Sequence, residues 1–202
     1  MNKKKVILVD FEDSFTFNIA NEVRLLGLDV EVVHYLDFSK KCLSSKLDFI
    51  TIFGPGPGHP DEYDKIYQLI KIFFIENNNP FMGICLGHQL YWRAKGINVK
   101  SSKRMMHGEC EQVTIPEWSV FSDKYWGIET EVQRYNSLVV DHRSIKGCNN
   151  LYLSTDSELL MSSNNQVITY QFHPESVGTS FPSLFFGALL KLAYTNMDER
   201  TY

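Results

Sequence analysis

The chain has 202 residues, 44% hydrophobic and 22% charged, so it is long enough for one globular domain and too apolar to be disordered. Its 20 Lys and Arg against 24 Asp and Glu give a formal net charge of -4, which excludes broad electrostatic binding of nucleic acid. Cys42, Cys85, Cys110 and Cys148 are widely spaced without a CxxC pair. That argues against a structural zinc site or a disulfide scaffold and fits a reducing, cytoplasmic setting.

The first half alternates strand and helix. The apolar run after Lys3-Lys4-Lys5 is short and stops at Asp10, so Val6–Val9 reads as a buried strand rather than an export signal. Asp13 and Ser14 offer caps for a helix from Phe15 to Leu26, whose apolar residues recur every three to four positions and which Gly27 ends. Asp29–His34 and Phe49–Phe53 are the next strands. Gly54-Pro55-Gly56-Pro57-Gly58-His59-Pro60 forbids regular structure. Tyr63–Asn77 is helical in pattern, Pro80–Ile84 is a strand, and a helix runs from about Leu86 to Lys95. No apolar stretch reaches the ~18 residues of a membrane helix, so no membrane contact is expected.

The second half changes to short strands, some of them antiparallel: Val113–Ile115, Ile128–Tyr135, Leu151–Ser154, Leu159–Ser162 and Val167–Phe172. Phe181–Tyr194 closes the chain as an amphipathic helix. The expected fold is a single α/β domain over residues 1–202. It has a mostly parallel sheet, helices on both faces and a small antiparallel layer.

Three segments carry candidate chemistry. In Gly83-Ile84-Cys85-Leu86-Gly87 an apolar strand runs into Gly-x-Cys-x-Gly and then a helix, the pattern of a nucleophile elbow with Cys in place of Ser. Free N–H groups at the helix start favour a thiolate, and the Leu86 N–H would face a developing oxyanion. The alternative is a buried core cysteine. In Phe172-His173-Pro174-Glu175-Ser176 an extended chain puts residues i and i+2 on one side, so His173 and Glu175 can point together toward the carboxyl edge of the sheet. That suggests Cys85 as nucleophile, His173 as base and then acid, and Glu175 as its orienter. The alternative is a polar turn. The Gly54–Pro60 loop lacks the Gly-Lys-Ser/Thr of a phosphate loop and suits a rigid donor of one or two N–H groups, for example from Gly56, or a plain turn.

Taken together with Asp10–Asn18, Met106-His107-Gly108 and Tyr135-Asn136-Ser137-Leu138, these motifs resemble the class I (triad-type) glutamine amidotransferases over nearly the whole chain. Within them the chain is most similar to component II of the chorismate-using synthases of anthranilate and aminodeoxychorismate. The resemblance implies a flavodoxin-like amidotransferase fold and a glutamyl thioester on Cys85. It implies an oxyanion held by Leu86 and Gly56. It also implies glutamine binding by Gly56, Pro57, Gly58, Gln89, Ser137 and Leu138, and ammonia delivery to a component I partner. It implies no cofactor for the hydrolysis, with magnesium belonging to the partner alone. Departures from the family pattern are Asn136 in place of His, Thr169 in place of Gly, bulky Tyr91 and Trp92 in the helix after the nucleophile, and a Leu160–Asn164 stretch without the usual basic and histidine residues. Tyr91 and Trp92 read as core or interface residues. Other readings of the same residues are a non-catalytic binding subunit, or a hydrolase of another γ-glutamyl amide.

Overall fold

A computed structural model describes residues 5–44, 49–146 and 150–192. Lys3, Lys4, Cys148 and the Tyr194 end of the predicted last helix lie outside them. Strands β1 (Lys5–Asp10), β2 (Asp29–His34), β3 (Phe49–Phe53) and β4 (Phe81–Ile84) form the parallel part of a seven-stranded sheet with β11 (Val167–Tyr170). Strands β10 (Leu159–Ser163) and β9 (Asn150–Leu153) extend it with antiparallel pairings, so the spatial order is β2-β1-β3-β4-β11-β10-β9. Two small antiparallel sheets stand apart: β5 (Val99–Ser101) with β8 (Leu138–Val140), and β6 (Glu109–Thr114) with β7 (Glu129–Arg134). The expected antiparallel layer is therefore divided between the sheet's own edge and two added ribbons.

Alternation along the strands builds two cores. Val6, Leu8, Ile50, Ile52, Met82 and Ile84 face helices α1 (Thr16–Leu25) and α5 (Pro182–Phe186). Ile7, Val9, Phe49, Phe53 and Phe81 face α2 (Phe38–Ser44), α3 (Asp64–Ile70) and α4 (Leu86–Ala94). Both faces are covered, which is why these strands read as continuous apolar runs. Phe53 sits at the centre of the second core, with its ring within 6 Å of those of Phe11, Phe38, Phe74 and Phe81.

Several local expectations are corrected. Neither Asp13 nor Ser14 caps the first helix: α1 begins at Thr16 with Phe15 at its N-cap and no side-chain capping bond, while Asp13 Oδ1 accepts from the Phe15 N–H at 2.8 Å just before it. The predicted helix Tyr63–Asn77 widens into a π-helical turn over Lys71–Glu76. The predicted last helix is broken by a turn at Gly187 and resumes over 188–192. Strand β11 ends at Tyr170, not Phe172, because the chain then peels away. The Gln171 N–H donates to Leu160 O, and the His173 N–H reaches Gln133 O on β7 at 2.9 Å. Tyr91 and Trp92 are core residues. Among the described residues no helix is long and apolar enough to cross a membrane.

Because Phe53 is fully buried among four aromatic rings, Phe53→Ala should destabilise the chain by ~3–5 kcal/mol. The denaturant midpoint should fall with an unchanged slope. A loss below ~1 kcal/mol would show that this core can collapse around the missing ring.

Candidate active site

The site is built at the carboxyl ends of β3, β4 and β11, where an open parallel sheet leaves a crevice. Cys85 sits between β4 and α4 with φ 50° and ψ -100°, a left-handed conformation that non-glycine residues rarely adopt. Its N–H donates to Tyr170 O at 2.8 Å, which ties the turn to β11. The flanking glycines are sterically required. A Cβ on Gly87 would lie 2.1 Å from Phe53 O, and one on Gly83 would lie 2.7 Å from Gly87 O. The Leu86 N–H, in the first turn of α4, has no intrahelical acceptor. Cys85 is half-buried; Cys42, by contrast, lies in the core, where burial pushes its thiol up to about 12.

His173 and Glu175 are both buried, with His173 Nδ1 2.7 Å from Glu175 Oε1. An ionised carboxylate only accepts, so Nδ1 carries a proton and Nε2 is turned to the other side of the ring. That Nε2 is buried and unpaired. Burial opposes a charged ring, but the facing Cys85 sulfur and the Glu175 carboxylate outweigh it and hold His173 well above its ordinary value. The His173 ring also contacts Phe15, at 5.2 Å between centroids, and Tyr135, at 5.0 Å. The N-terminal motif thus reaches the site through Phe15. Its loop is held by Asp10, whose Oδ1 accepts from the Glu12 N–H and the Thr16 hydroxyl.

A cleft of about 160 Å³ opens beside Cys85, lined by Gly56, Gly58, Leu86, Gln89, Tyr135, Asn136, Ser137 and Leu138. The structure therefore brings together the predicted Gly56, Gly58, Leu86, Gln89, Ser137 and Leu138. Pro57 does not line the cleft: its carbonyl accepts from the Tyr63 hydroxyl at 3.0 Å, away from Cys85. Gly56 has no room for a side chain, since a Cβ would meet Phe11 Cβ at 2.5 Å and Leu86 Cδ2 at 2.6 Å. The loop is braced again where Glu62 Oε1 accepts from the His59 N–H at 2.8 Å. Gln89 Nε2 donates to Leu138 O at 3.0 Å and to Gln171 Oε1 at 3.2 Å.

Tyr135 and Asn136 line the cleft although neither was a predicted site residue. Gln171, also unpredicted, turns its Nε2 toward Cys85 Sγ at 3.8 Å. The signal for Gln171 was its place two residues before His173; its polarity alone did not distinguish it.

Thr169, Trp92 and Ser162 of the 160–164 stretch, three of the residues noted above, meet in one network. Thr169 lies opposite Gly83 on β11. Its Oγ1 is 2.6 Å from Ser162 Oγ and 2.8 Å from His88 Nδ1, and Trp92 Nε1 donates to the same Ser162 Oγ. One buried chain of hydrogen bonds joins them behind the nucleophile helix. His88 within it is fully buried, and burial together with the Arg134 charge lowers it to about 3.

The model of the glutamine amidotransferase class-I family matches residues 7–192. The chain is 34% identical over 181 residues to "Anthranilate synthase component 2" of Saccharolobus solfataricus, covering 86% of this chain and 91% of the relative. It is 31% identical to the protein of that name from Methanocaldococcus jannaschii over the whole of both chains. Among solved structures it resembles a putative GMP synthase subunit from Thermoplasma acidophilum, with a TM-score of 0.80, 19% identity and 99% of each chain covered. It also resembles a glutamine amidotransferase from Thermotoga maritima, with a TM-score of 0.68, 17% identity, and 98% of this chain and 84% of that one covered. The chain belongs to the class-I glutamine amidotransferase family.

His88 supplies a pH test of the buried network. Its native form stays neutral down to about pH 3, whereas the unfolded side chain takes a proton below 6.5. Stability is therefore intact above 6.5 and falls on acidification, by about 1.4 kcal/mol per pH unit. His88→Gln should remove that share of the loss between pH 7.5 and 5.5 in denaturant unfolding. Parallel pH curves for the two proteins would show that His88 takes up its proton alike in the native and unfolded states.

Proposed function

We propose that this class-I amidotransferase is the glutaminase subunit, component II, of a chorismate-aminating synthase. It would hydrolyse glutamine on Cys85 and hand ammonia to a component I subunit that makes anthranilate or 4-amino-4-deoxychorismate. The observation that carries the reading is the buried Glu175–His173 pair facing the elbow cysteine, which itself lines a cleft with Gly56, Leu86 and Gln89. The names of the relatives support the synthase assignment.

The chemistry follows from these groups. The Cys85 thiolate attacks the side-chain amide carbon of glutamine, forming the C–S bond. The oxyanion is taken by the N–H groups of Leu86 and Gly56. The C–N bond breaks as His173 gives its proton to the leaving nitrogen, so ammonia departs and a glutamyl thioester remains. His173 then takes a proton from water, the hydroxide adds to the thioester, and glutamate leaves with the thiolate restored. Glu175 keeps the imidazole oriented and balances its charge. Gly58, Gln89, Ser137 and Leu138 hold the substrate. Ammonia must reach the partner without meeting bulk water, because ammonium is not a nucleophile. The hydrolysis draws on this chain's own groups and water, and we assign any magnesium requirement to component I.

Glutamate release should be measured with the chain alone and with each candidate synthase subunit plus chorismate. The reading predicts release that rises with one partner and disappears in Cys85→Ala. The same variant should keep ammonia-dependent amination in the complex. Release unaffected by Cys85→Ala would refute the nucleophile. A γ-glutamyl peptide cleaved much faster than glutamine would replace the substrate. Glu175→Gln should lose up to ~10⁴-fold in turnover, yet less than Cys85→Ala. Equal losses would refute the orienting role.

A further inference from the structure

Strand β7 leads straight into Tyr135 and Asn136, which line the cleft, and side chains at its end serve two different neighbours. Gln133 faces the segment that carries His173 and Glu175. Its Oε1 accepts from the Gly178 N–H at 3.0 Å and from the Ser176 hydroxyl, and its Nε2 donates to Gly108 O at 2.8 Å. Its backbone N–H donates to Thr179 Oγ1, which in turn donates to His173 O at 2.6 Å. Residues 173–179 are wrapped so tightly around it that a Cβ on Gly178 would lie 2.5 Å from the Gln133 amide. Tyr135, two residues on, keeps to the same side, with its hydroxyl 3.1 Å from Ser176 Oγ.

Arg134 faces the opposite way and is buried. Its Nη1 donates to Glu111 at 2.6 Å, its Nη2 to Glu158 at 2.5 Å, and its Nε to Asn136 Oδ1 at 3.1 Å. Asn136 Nδ2 then donates to Leu138 O at 3.1 Å, the same carbonyl that Gln89 holds. One buried guanidinium thus fixes the turn that lines the substrate side of the cleft.

We propose that β7 positions the two halves of the site separately: Gln133 sets the His173–Glu175 pair against Cys85, and Arg134, through Asn136, sets the turn at 136–138 that takes the substrate. The inference rests on the glutaminase reading for the identity of that substrate. Both are positioning residues, since neither Gln133 nor Arg134 lines the cleft.

The test compares Gln133→Ala with Arg134→Lys in the complex with the synthase subunit. Gln133→Ala should lower kcat about tenfold or more with KM for glutamine near wild type. Arg134→Lys, which keeps a cation for Glu111 and Glu158 but gives up the Nε bond to Asn136, should raise KM about tenfold and change kcat less than Gln133→Ala does, the worth of one net hydrogen bond in each case. A second readout needs no substrate. The pH profile of Cys85 alkylation by iodoacetamide should change in Gln133→Ala, because the groups facing His173 are Cys85, Glu175 and Tyr135. It should match wild type in Arg134→Lys. Should Gln133→Ala fail to fold, Gln133→Met keeps the volume and carries the same test. A wild-type complex that does not hydrolyse glutamine would sink the glutaminase reading, while the alkylation contrast would still decide this one. Alkylation altered equally in both variants, or in neither, would overturn it, as would kcat and KM shifting together in each.

Discussion

The turn that presents Cys85 is the constraint around which the rest is arranged. A left-handed cysteine is tolerated only because the chain on both sides is held. Its N–H is bonded to β11, Gly83 is packed beneath α4, and Gly87 is pressed against the Phe53 carbonyl. At 2.1 Å from that carbonyl, a Cβ at position 87 could be accommodated only by separating α4 from β3. The same tight approach places the loop after β3 over the first turn of α4, with Gly56 against Leu86. Cys85, the loop after β3 and the start of α4 are therefore fixed by one packing contact, supported from below by the aromatic core at Phe53.

The other side of the cleft is organised by polar rather than apolar groups. Arg134 has two carboxylates and an amide as partners, and Glu158 in turn accepts from the Ser102 hydroxyl at 2.6 Å. Burial works against the Glu158 charge, but Ser102 and Arg134 outweigh it and hold the carboxyl below its ordinary value. A buried ion pair of this kind adds little net stability over an apolar substitute, whereas losing one partner leaves a stranded charge. Its value here is geometric: it joins β6, β7 and the turn before β10 to the strip that lines the cleft. Residues 106–108 complete the frame, with the N–H groups of Met106 and Gly108 donating to the carbonyls of Asn136 and Arg134.

The parallel half was legible because β1, β3 and β4 are short apolar runs bounded by turn residues and β2 alternates Val with polar residues, so Asp29–His34 and Phe49–Phe53 match β2 and β3 at both ends. The chemistry-bearing motifs were legible because backbone geometry demands particular residues there, glycine at 83 and 87 above all. Strands β5 and β8 were invisible, being three residues each and defined only by pairing with one another. The end of β11 was misread because the Gln171 N–H still donates to Leu160 O on β10, and only at His173 has the chain crossed to Gln133 O on β7. In sequence Gln133 and Arg134 are only two polar residues near the end of a predicted strand. Only the tertiary structure reveals that Arg134 is buried and that residues 173–179 fold around Gln133. Likewise Thr169, Ser162 and Trp92 read as unrelated departures until their hydrogen bonds are seen.

The central claim is that the elbow cysteine carries the substrate's acyl group. The most direct measurement is mass spectrometry of the complex quenched in acid during turnover of isotopically labelled glutamine, followed by peptide mapping. The account predicts one labelled glutamyl group on the peptide containing Cys85, and none in Cys85→Ala. Labelled glutamate accumulating during turnover while the Cys85 peptide stays unmodified, or a label carried on another residue, would contradict it.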